Sequence, residues 1–305
     1  MRGAFVDALL AVAEADPRVW LLTGDLGYSV LEPFMERFPD RFVNVGVAEQ
    51  NMVGVAAGLA LAGKVVFTYS IANFPTLRCL EQIRNDVCYH NLPVISVAVG
   101  GGLAYGSLGY SHHAVEDLAI LRTLPNIAVV APGDPHETRA AVKALVERGG
   151  PGYLRLGKAN EPCVHAEEPV LRPGEAITVR EGADVSLVTT GGTLVLALQA
   201  ADALAEEGVQ AEVLSLPFIA PMTADSIAEL GQRTGRMVSV EEHGRGGLGA
   251  MMAEALCQTG SKASLMPVTL EGGSCGTAGG QEYLRERQGL TVERVVASAQ
   301  RLLTA

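Results

Sequence analysis

One acidic side chain stands at the start of a long apolar stretch in the first third of the chain. Residues 41–45 contain a short apolar run that predicts a strand, and a small-residue turn leads from it into a helix rich in Ala, Gly, Val and Leu. Glu49 and Gln50 begin that helix. A carboxylate among apolar neighbours is neutralised, paired or held for chemistry. The alternative is an ordinary acidic residue in a first helical turn, which the helix dipole favours.

Two adjacent histidines follow a glycine-rich loop. Residues 93–99 form a β-branched run typical of a buried parallel strand, the loop 100–110 comes next, and His112 and His113 open a helix predicted over 113–124 with Ser111 as its N-cap. Ligands bind beyond the carboxyl ends of parallel strands. Adjacent histidines point in different directions, so a shared metal is not indicated. Each histidine is either a ligand contact or a solvated residue at a helix start.

A second glycine-rich motif lies near the C-terminus. Residues 244–249 match G-x-G-x-x-G between a strand predicted at 237–241 and a helix, and Glu271 ends the next strand. In the dinucleotide fingerprint the first glycine directly follows the strand. Here Glu241, Glu242 and His243 intervene, and two carboxylates would repel a pyrophosphate. The sequence favours a packing turn, with NAD binding as the alternative.

Strands and helices alternate throughout the chain, which predicts an α/β fold of two doubly wound domains with mostly parallel sheets. Periodicity lapses where prolines follow polar residues at 162, 169 and 173. We therefore expect a first domain over 1–160, a linker over 161–175 and a second domain over 176–305, in which the first strand is 185–189.

Composition excludes several classes of protein. The 305 residues are 48% hydrophobic and 19% charged, with a net charge of -11, which argues against nucleic acid and anionic membranes as partners. The N-terminus predicts an amphipathic helix rather than a signal peptide, and no apolar stretch is long enough to span a membrane. The 5 cysteines are scattered without a Cys-x-x-Cys pair, so we expect a cytoplasmic protein without disulfides or a zinc site.

Several motifs together resemble a transketolase, and more closely the C-terminal half of one encoded as a separate subunit. In the first half these are 44–52 (Asn-Val-Gly-Val-Ala-Glu-Gln-Asn-Met), 80–86, 111–117 and 124–127, and in the second half 189–192 and 241–244. The resemblance covers essentially the whole chain. It implies a pyrimidine-binding domain followed by a transketolase C-terminal domain.

The thiamine diphosphate-binding half of such enzymes carries Gly-Asp-Gly followed by Asn, which holds magnesium and the diphosphate. This chain has only Gly24-Asp25-Leu26. The resemblance therefore implies a β subunit that builds its site with an α subunit, as α2β2, and that holds no metal itself.

The same resemblance implies roles for the cofactor-binding residues. Glu49 would hydrogen-bond N1′ of the cofactor's aminopyrimidine and stabilise its imino tautomer, which can take the proton from thiazolium C2. Phe74 would stack on the aminopyrimidine, and Tyr69 and Ile71 would complete the pocket.

For the substrate, the resemblance implies that His112 contacts the reacting end of the sugar, with His113 beside it. Ser29 and Arg2 would bind a substrate phosphate. Lys158 matches a second phosphate-binding cation best, with Arg155 as its competitor.

Two positions depart from the family pattern. Gly100 replaces a phosphate-binding histidine, and Leu108 replaces an aspartate that binds a substrate hydroxyl. An unmade hydrogen bond changes discrimination by about 1–3 kcal/mol. The departures put ordinary pentose phosphates in doubt and favour a modified sugar.

The sequence thus predicts the β subunit of a thiamine diphosphate-dependent enzyme that transfers a two-carbon ketol unit from a ketose, expected to be phosphorylated, to an aldose. The alternatives are the β subunit of a related carboligase or 2-oxoacid dehydrogenase, and a non-catalytic assembly or regulatory subunit.

Overall fold

The computed structural model describes residues 1–271 and 276–304, and Cys275 lies outside these ranges. The first half of the chain forms strands β1 (Val19–Thr23), β2 (Phe42–Asn44), β3 (Val65–Ile71), β4 (Val94–Val99), β5 (Ala128–Val130) and β6 (Gly152–Leu156). Its helices are α1 (Arg2–Ala15), α2 (Glu32–Arg37), α3 (Glu49–Leu61), α4 (Leu80–Gln82), α5 (Asp117–Leu121) and α6 (Pro135–Arg148). A π-helical turn, Ile83–Cys88, continues α4.

The second half contains strands β7 (Ile177–Arg180), β8 (Val185–Thr189), β9 (Ala211–Ser215), β10 (Phe218–Ala220), β11 (Arg236–Val240) and β12 (Ser264–Val268). Its helices are α7 (Leu194–Glu206), α8 (Ala224–Thr234), α9 (Leu248–Thr259), α10 (Gln281–Arg287) and α11 (Val292–Thr304). None of the helices in the described ranges is long and apolar enough to cross a membrane.

Two mostly parallel sheets confirm the predicted α/β class. The first has seven strands in the order β10-β5-β6-β4-β3-β1-β2, and the second has five in the order β12-β11-β8-β9-β7. Every residue of β4 is buried, as expected for a parallel strand covered by helices on both faces. The α3 side and the α1 side of the first sheet each form an apolar cluster.

Two antiparallel strands are absent from the sequence-based prediction. β7 lies at the edge of the second sheet, where it pairs with β9 and precedes the strand expected to come first. β10 belongs to the second half of the chain but pairs with β5 at the edge of the first sheet. Burial explains this crossing, because Phe218 is fully buried in the α1-side cluster.

The helix predicted over 113–124 is much shorter than expected. α5 begins at Asp117, and a 3-10 turn, Tyr110–His112, precedes it. The intervening backbone is extended because Ala114 forms a β-bridge with Gly102 and its carbonyl accepts a hydrogen bond from Arg155 at 2.6 Å. Ser111 therefore does not cap the helix.

The predicted linker is fixed to the first domain by polar contacts. Glu161 pairs with the N-terminal ammonium at 2.7 Å, and the carboxylate of Asp134 accepts the backbone N–H groups of Val164 and His165 at 2.9 Å each. These contacts keep the residues just after β6 beside the start of α1.

Candidate active site

Glu49 is the first residue of α3, and its carboxylate has one partner. It is 2% exposed, and its Oε2 accepts a hydrogen bond from Nη1 of Arg78 at 2.8 Å. Among the residues that the structure describes, none donates a hydrogen bond to Oε1. Gly24, just after the end of β1, lies against this side chain, since a Cβ there would be 3.4 Å from Cγ of Glu49, an ordinary van der Waals distance. One carboxylate oxygen is thus anchored, and the other is available to a ligand.

Beside Glu49, the side chains of Arg78, Phe74 and His112 contact one another in turn. The guanidinium carbon of Arg78 lies 4.3 Å from the ring centroid of Phe74, and that centroid lies 5.2 Å from the His112 ring in an edge-on arrangement. Arg78 therefore contacts both Glu49 and Phe74, and His112 lies against Phe74. Arg78 was not predicted as a site residue, although it is a cation only four residues after Phe74 in the sequence.

His112 is tuned toward its neutral form. Burial lowers the pKa of its imidazole, and the neighbouring His113 lowers it further. The hydroxyl of Ser111 lies 3.0 Å from Nδ1. A neutral imidazole has one nitrogen that donates and one that accepts a hydrogen bond, so it suits proton transfer.

The predicted phosphate-binding residues line a common cavity. Arg2, Ser29 and Lys158 surround a space of about 370 Å³ where α1 meets the chain after β6. Within the described residues neither cation takes part in an ion pair. The ammonium of Lys158 lies 4.8 Å from the ring centroid of Tyr105, which is itself 6.4 Å from His112. Tyr105 thus lies between this cavity and His112.

Arg155 is not part of this cavity. It is 5% exposed, and it pairs with Asp117 at 2.8 Å and donates to the backbone carbonyl of Glu242 at 3.0 Å. These bonds join the two domains. Of the two competing cations, the structure brings only Lys158 to Arg2 and Ser29.

Three further predicted residues have other surroundings. Tyr69 stacks on Phe5 at 5.8 Å in the α1-side cluster, on the face of the sheet opposite α3, and burial raises its pKa. Ile71 ends β3 half-buried. His113 is 1% exposed, and its Nε2 has no hydrogen-bond partner in the described ranges. The structure therefore does not bring Tyr69 to Glu49.

The glycine-rich motif of the second domain has no room for a pyrophosphate. Glu241 accepts hydrogen bonds from the N–H groups of Leu248 at 2.7 Å and Gly249 at 2.9 Å, at the start of α9. A dinucleotide would need these same donors. The chain's own carboxylate fills the helix N-terminus, which supports the packing-turn interpretation over NAD binding.

Comparisons with known proteins cover both domains. The family model of the transketolase pyrimidine-binding domain matches residues 1–162, and that of the transketolase C-terminal domain matches residues 174–295.

Relatives of similar length share this arrangement. The chain is 41% identical over 262 residues to one subunit of the apulose-4-phosphate transketolase of Phocaeicola vulgatus, covering 84% of this chain and 83% of that one. It is 35% identical over 305 residues to the SqwH subunit of the 6-deoxy-6-sulfo-D-fructose transketolase of Clostridium sp. (strain MSTE9), covering 98% and 93%. A solved structure described as a split gene transketolase, inactive beta4 tetramer, superposes with a TM-score of 0.90 at 38% identity, covering 99% of this chain and 97% of that one. The chain therefore belongs to the transketolase family, as a β subunit of the split type.

Proposed function

We propose that this chain is the catalytic β subunit of a thiamine diphosphate-dependent enzyme that transfers a two-carbon ketol unit from a ketose phosphate to an aldose. The observation that carries the proposal is the state of Glu49, which is buried beside Phe74 and His112 and keeps one carboxylate oxygen free. Oε1 has no donor among the described residues, and N1′ of the cofactor would supply one on binding.

The residues around Glu49 fit the aminopyrimidine. Phe74 would stack on it with the ring face that Arg78 leaves free, and Arg78 would fix Oε2 so that Oε1 faces N1′. When bound, the cofactor supplies an electron sink for the carbanion of the ketol unit. Glu49 contributes the hydrogen bond that holds the shared proton near N1′.

The remaining residues would hold the sugar. His112, neutral through its lowered pKa, would exchange a proton with the reacting end of the sugar. Arg2, Ser29 and Lys158 would bind the phosphate, since neither cation forms an ion pair with a described residue, although Asp7 also lines their cavity.

The donor we propose is a modified ketose phosphate rather than an ordinary pentose phosphate. Gly100 and Leu108 lack the polar groups expected at their positions, and Leu108 is exposed. Two relatives carry names that specify apulose 4-phosphate and 6-deoxy-6-sulfo-D-fructose, both modified sugars.

The partner we propose is an α subunit that holds magnesium and the diphosphate, in an α2β2 assembly in the cytoplasm. Large apolar side chains are exposed on α3 and on the turn before it: Val47 is 76% exposed and Leu61 69%. We propose that these side chains contact the α subunit. Burial of the free thiols Cys79 and Cys88, which raises the pKa of each to about 12, suits a reducing compartment.

Reconstitution tests this proposal. The chain is co-expressed with the protein encoded beside it, and ketol transfer is assayed with phosphorylated and unphosphorylated ketoses. We expect turnover by the complex only, with a preference for phosphorylated donors. Turnover by the isolated chain, or a complex that is inactive with every donor, would refute it.

A further inference from the structure

Tyr105 lies between the two ends of the proposed site. Its ring centroid is 6.4 Å from that of His112 and 4.8 Å from the ammonium of Lys158. Among the described residues, no other ring lies against both. A sugar that reaches from His112 to the phosphate cavity must pass this ring.

The Tyr105 ring fills the space left by Gly100. A Cβ built on Gly100 would lie 2.1 Å from Cδ2 and 2.3 Å from Cε2 of that ring. Real Cβ atoms do not approach this closely, and the positive φ of Gly100, +88°, also disfavours a side chain. Any substitution at position 100 must therefore displace Tyr105.

The Tyr105 hydroxyl is free to bind a ligand. It has no hydrogen-bond partner among the described residues, although the ring is half-buried. Burial raises the pKa of Tyr105 while the nearby Arg2 lowers it, and the phenol stays neutral at physiological pH. A neutral phenol both donates and accepts a hydrogen bond.

We propose that Tyr105 is a specificity-determining residue whose hydroxyl binds a mid-chain hydroxyl of the ketose phosphate, between its reacting end and its phosphate. Gly100 also contributes to specificity, because its missing side chain leaves the space that the Tyr105 ring occupies. This inference rests on the proposed function and specifies its substrate as a phosphorylated sugar that keeps a hydroxyl group at mid-chain.

Binding to the reconstituted complex tests the inference. The probes are D-fructose 6-phosphate and its 4-deoxy analogue, and the dissociation constants come from calorimetry. Tyr105→Phe is expected to weaken binding of D-fructose 6-phosphate about threefold to tenfold, the range of one lost hydrogen bond, and to leave the deoxy analogue unchanged. Gly100→Ala, which displaces the ring, should weaken the same probe in the same way. Tyr105→Phe and Gly100→Ala together should be no worse than Gly100→Ala alone.

Tyr110 provides a matched control in the same loop. Its hydroxyl is bound to Glu116 at 3.0 Å, so Tyr110→Phe should leave both dissociation constants unchanged. Equal losses for the two probes in Tyr105→Phe, no loss for either, or no binding of D-fructose 6-phosphate by the unsubstituted complex would overturn the inference. Failure of the proposed function is separate: the complex would bind the probe and yet transfer no ketol unit from any of the ketoses assayed.

Discussion

The head of α3 and the start of α9 each contain a deeply buried glutamate, yet their carboxylates are satisfied in opposite ways. Glu49 is 2% exposed and Glu241 1%. Both oxygens of Glu241 accept backbone N–H groups, whereas in residues 1–271 and 276–304 only Arg78 donates a hydrogen bond to Glu49. Burial alone therefore does not mark a functional carboxylate. What distinguishes Glu49 is its place next to Arg78 and Phe74, with Oε1 left without a donor among the described residues.

The neighbour of Glu241 follows the same rule. Glu242 accepts hydrogen bonds from the N–H of Leu103 at 2.9 Å, the amide of Gln281 and Nη2 of Arg285 at 2.7 Å. Its donors come from the first domain and from α10. Glu241 and Glu242 are thus satisfied by groups of the chain itself, and we assign Glu49 to chemistry.

Glu49→Gln should give the largest effect. The amide keeps the size of the side chain but cannot share a proton with N1′, so the activity of the reconstituted complex should fall about 10²–10⁴-fold, the range of general acid–base contributions. The thermal midpoint of the chain should change little, because Arg78 is part-exposed. A near-normal kcat/KM in this variant would show that Glu49, like Glu241, has no role in catalysis.

Glu241→Ala, in contrast, should lower the stability of the chain. Removing this carboxylate leaves two buried N–H groups at the start of α9 without acceptors, which costs about 2–4 kcal/mol of folding free energy. Urea unfolding of the chain measures the loss, with Glu241→Gln as a milder control that retains one acceptor. Stability equal to that of the unsubstituted chain would show that the burial of Glu241 is incidental.

Arg78→Met should give an intermediate effect on activity. A part-exposed ion pair contributes up to about 1 kcal/mol, which corresponds to roughly a fivefold fall in kcat/KM when the Glu49 carboxylate loses its anchor. Arg78→Lys keeps the charge and should recover part of the loss. An equal fall in both variants would indicate that the geometry of the guanidinium matters more than its charge.

The smallest effect concerns the linker and depends on pH. The hydrogen bond to Glu137 raises the pKa of His165 above its ordinary value of 6.5. A raised pKa in the folded state stabilises the protein below pH 6.5, and this contribution is lost as the pH rises through the folded-state value. Thermal midpoints of the chain and of His165→Gln should differ most below pH 6.5 and converge as the pH rises through the raised folded-state pKa. A constant difference would contradict this assignment.

The sequence could predict what depends on local pattern. Alternating strands and helices predicted the α/β class, and the apolar context of Glu49 made it a candidate to which the family resemblance gave a role. Periodicity could not place β10, because its pairing with β5 depends on burial of Phe218 across the domain boundary.

The direction in which a side chain points could not be predicted from the sequence either. Nearly every residue of β3 is buried, so alternation does not reveal that Tyr69 faces α1 rather than α3. Arg155 and Lys158 are both cations near the end of β6, and only the buried Asp117 distinguishes them. The role of Tyr105 depends on its contact with Gly100, which no spacing encodes.

Cofactor binding tests the central claim, that Glu49 is half of a site completed by another subunit. Calorimetric titration of thiamine diphosphate with magnesium is performed on the isolated chain, on the reconstituted complex and on the complex carrying Glu49→Gln. We predict saturable binding by the complex, weaker binding by the Glu49→Gln complex and none by the chain alone. Tight binding by the isolated chain, or equal binding by the two complexes, would contradict the claim.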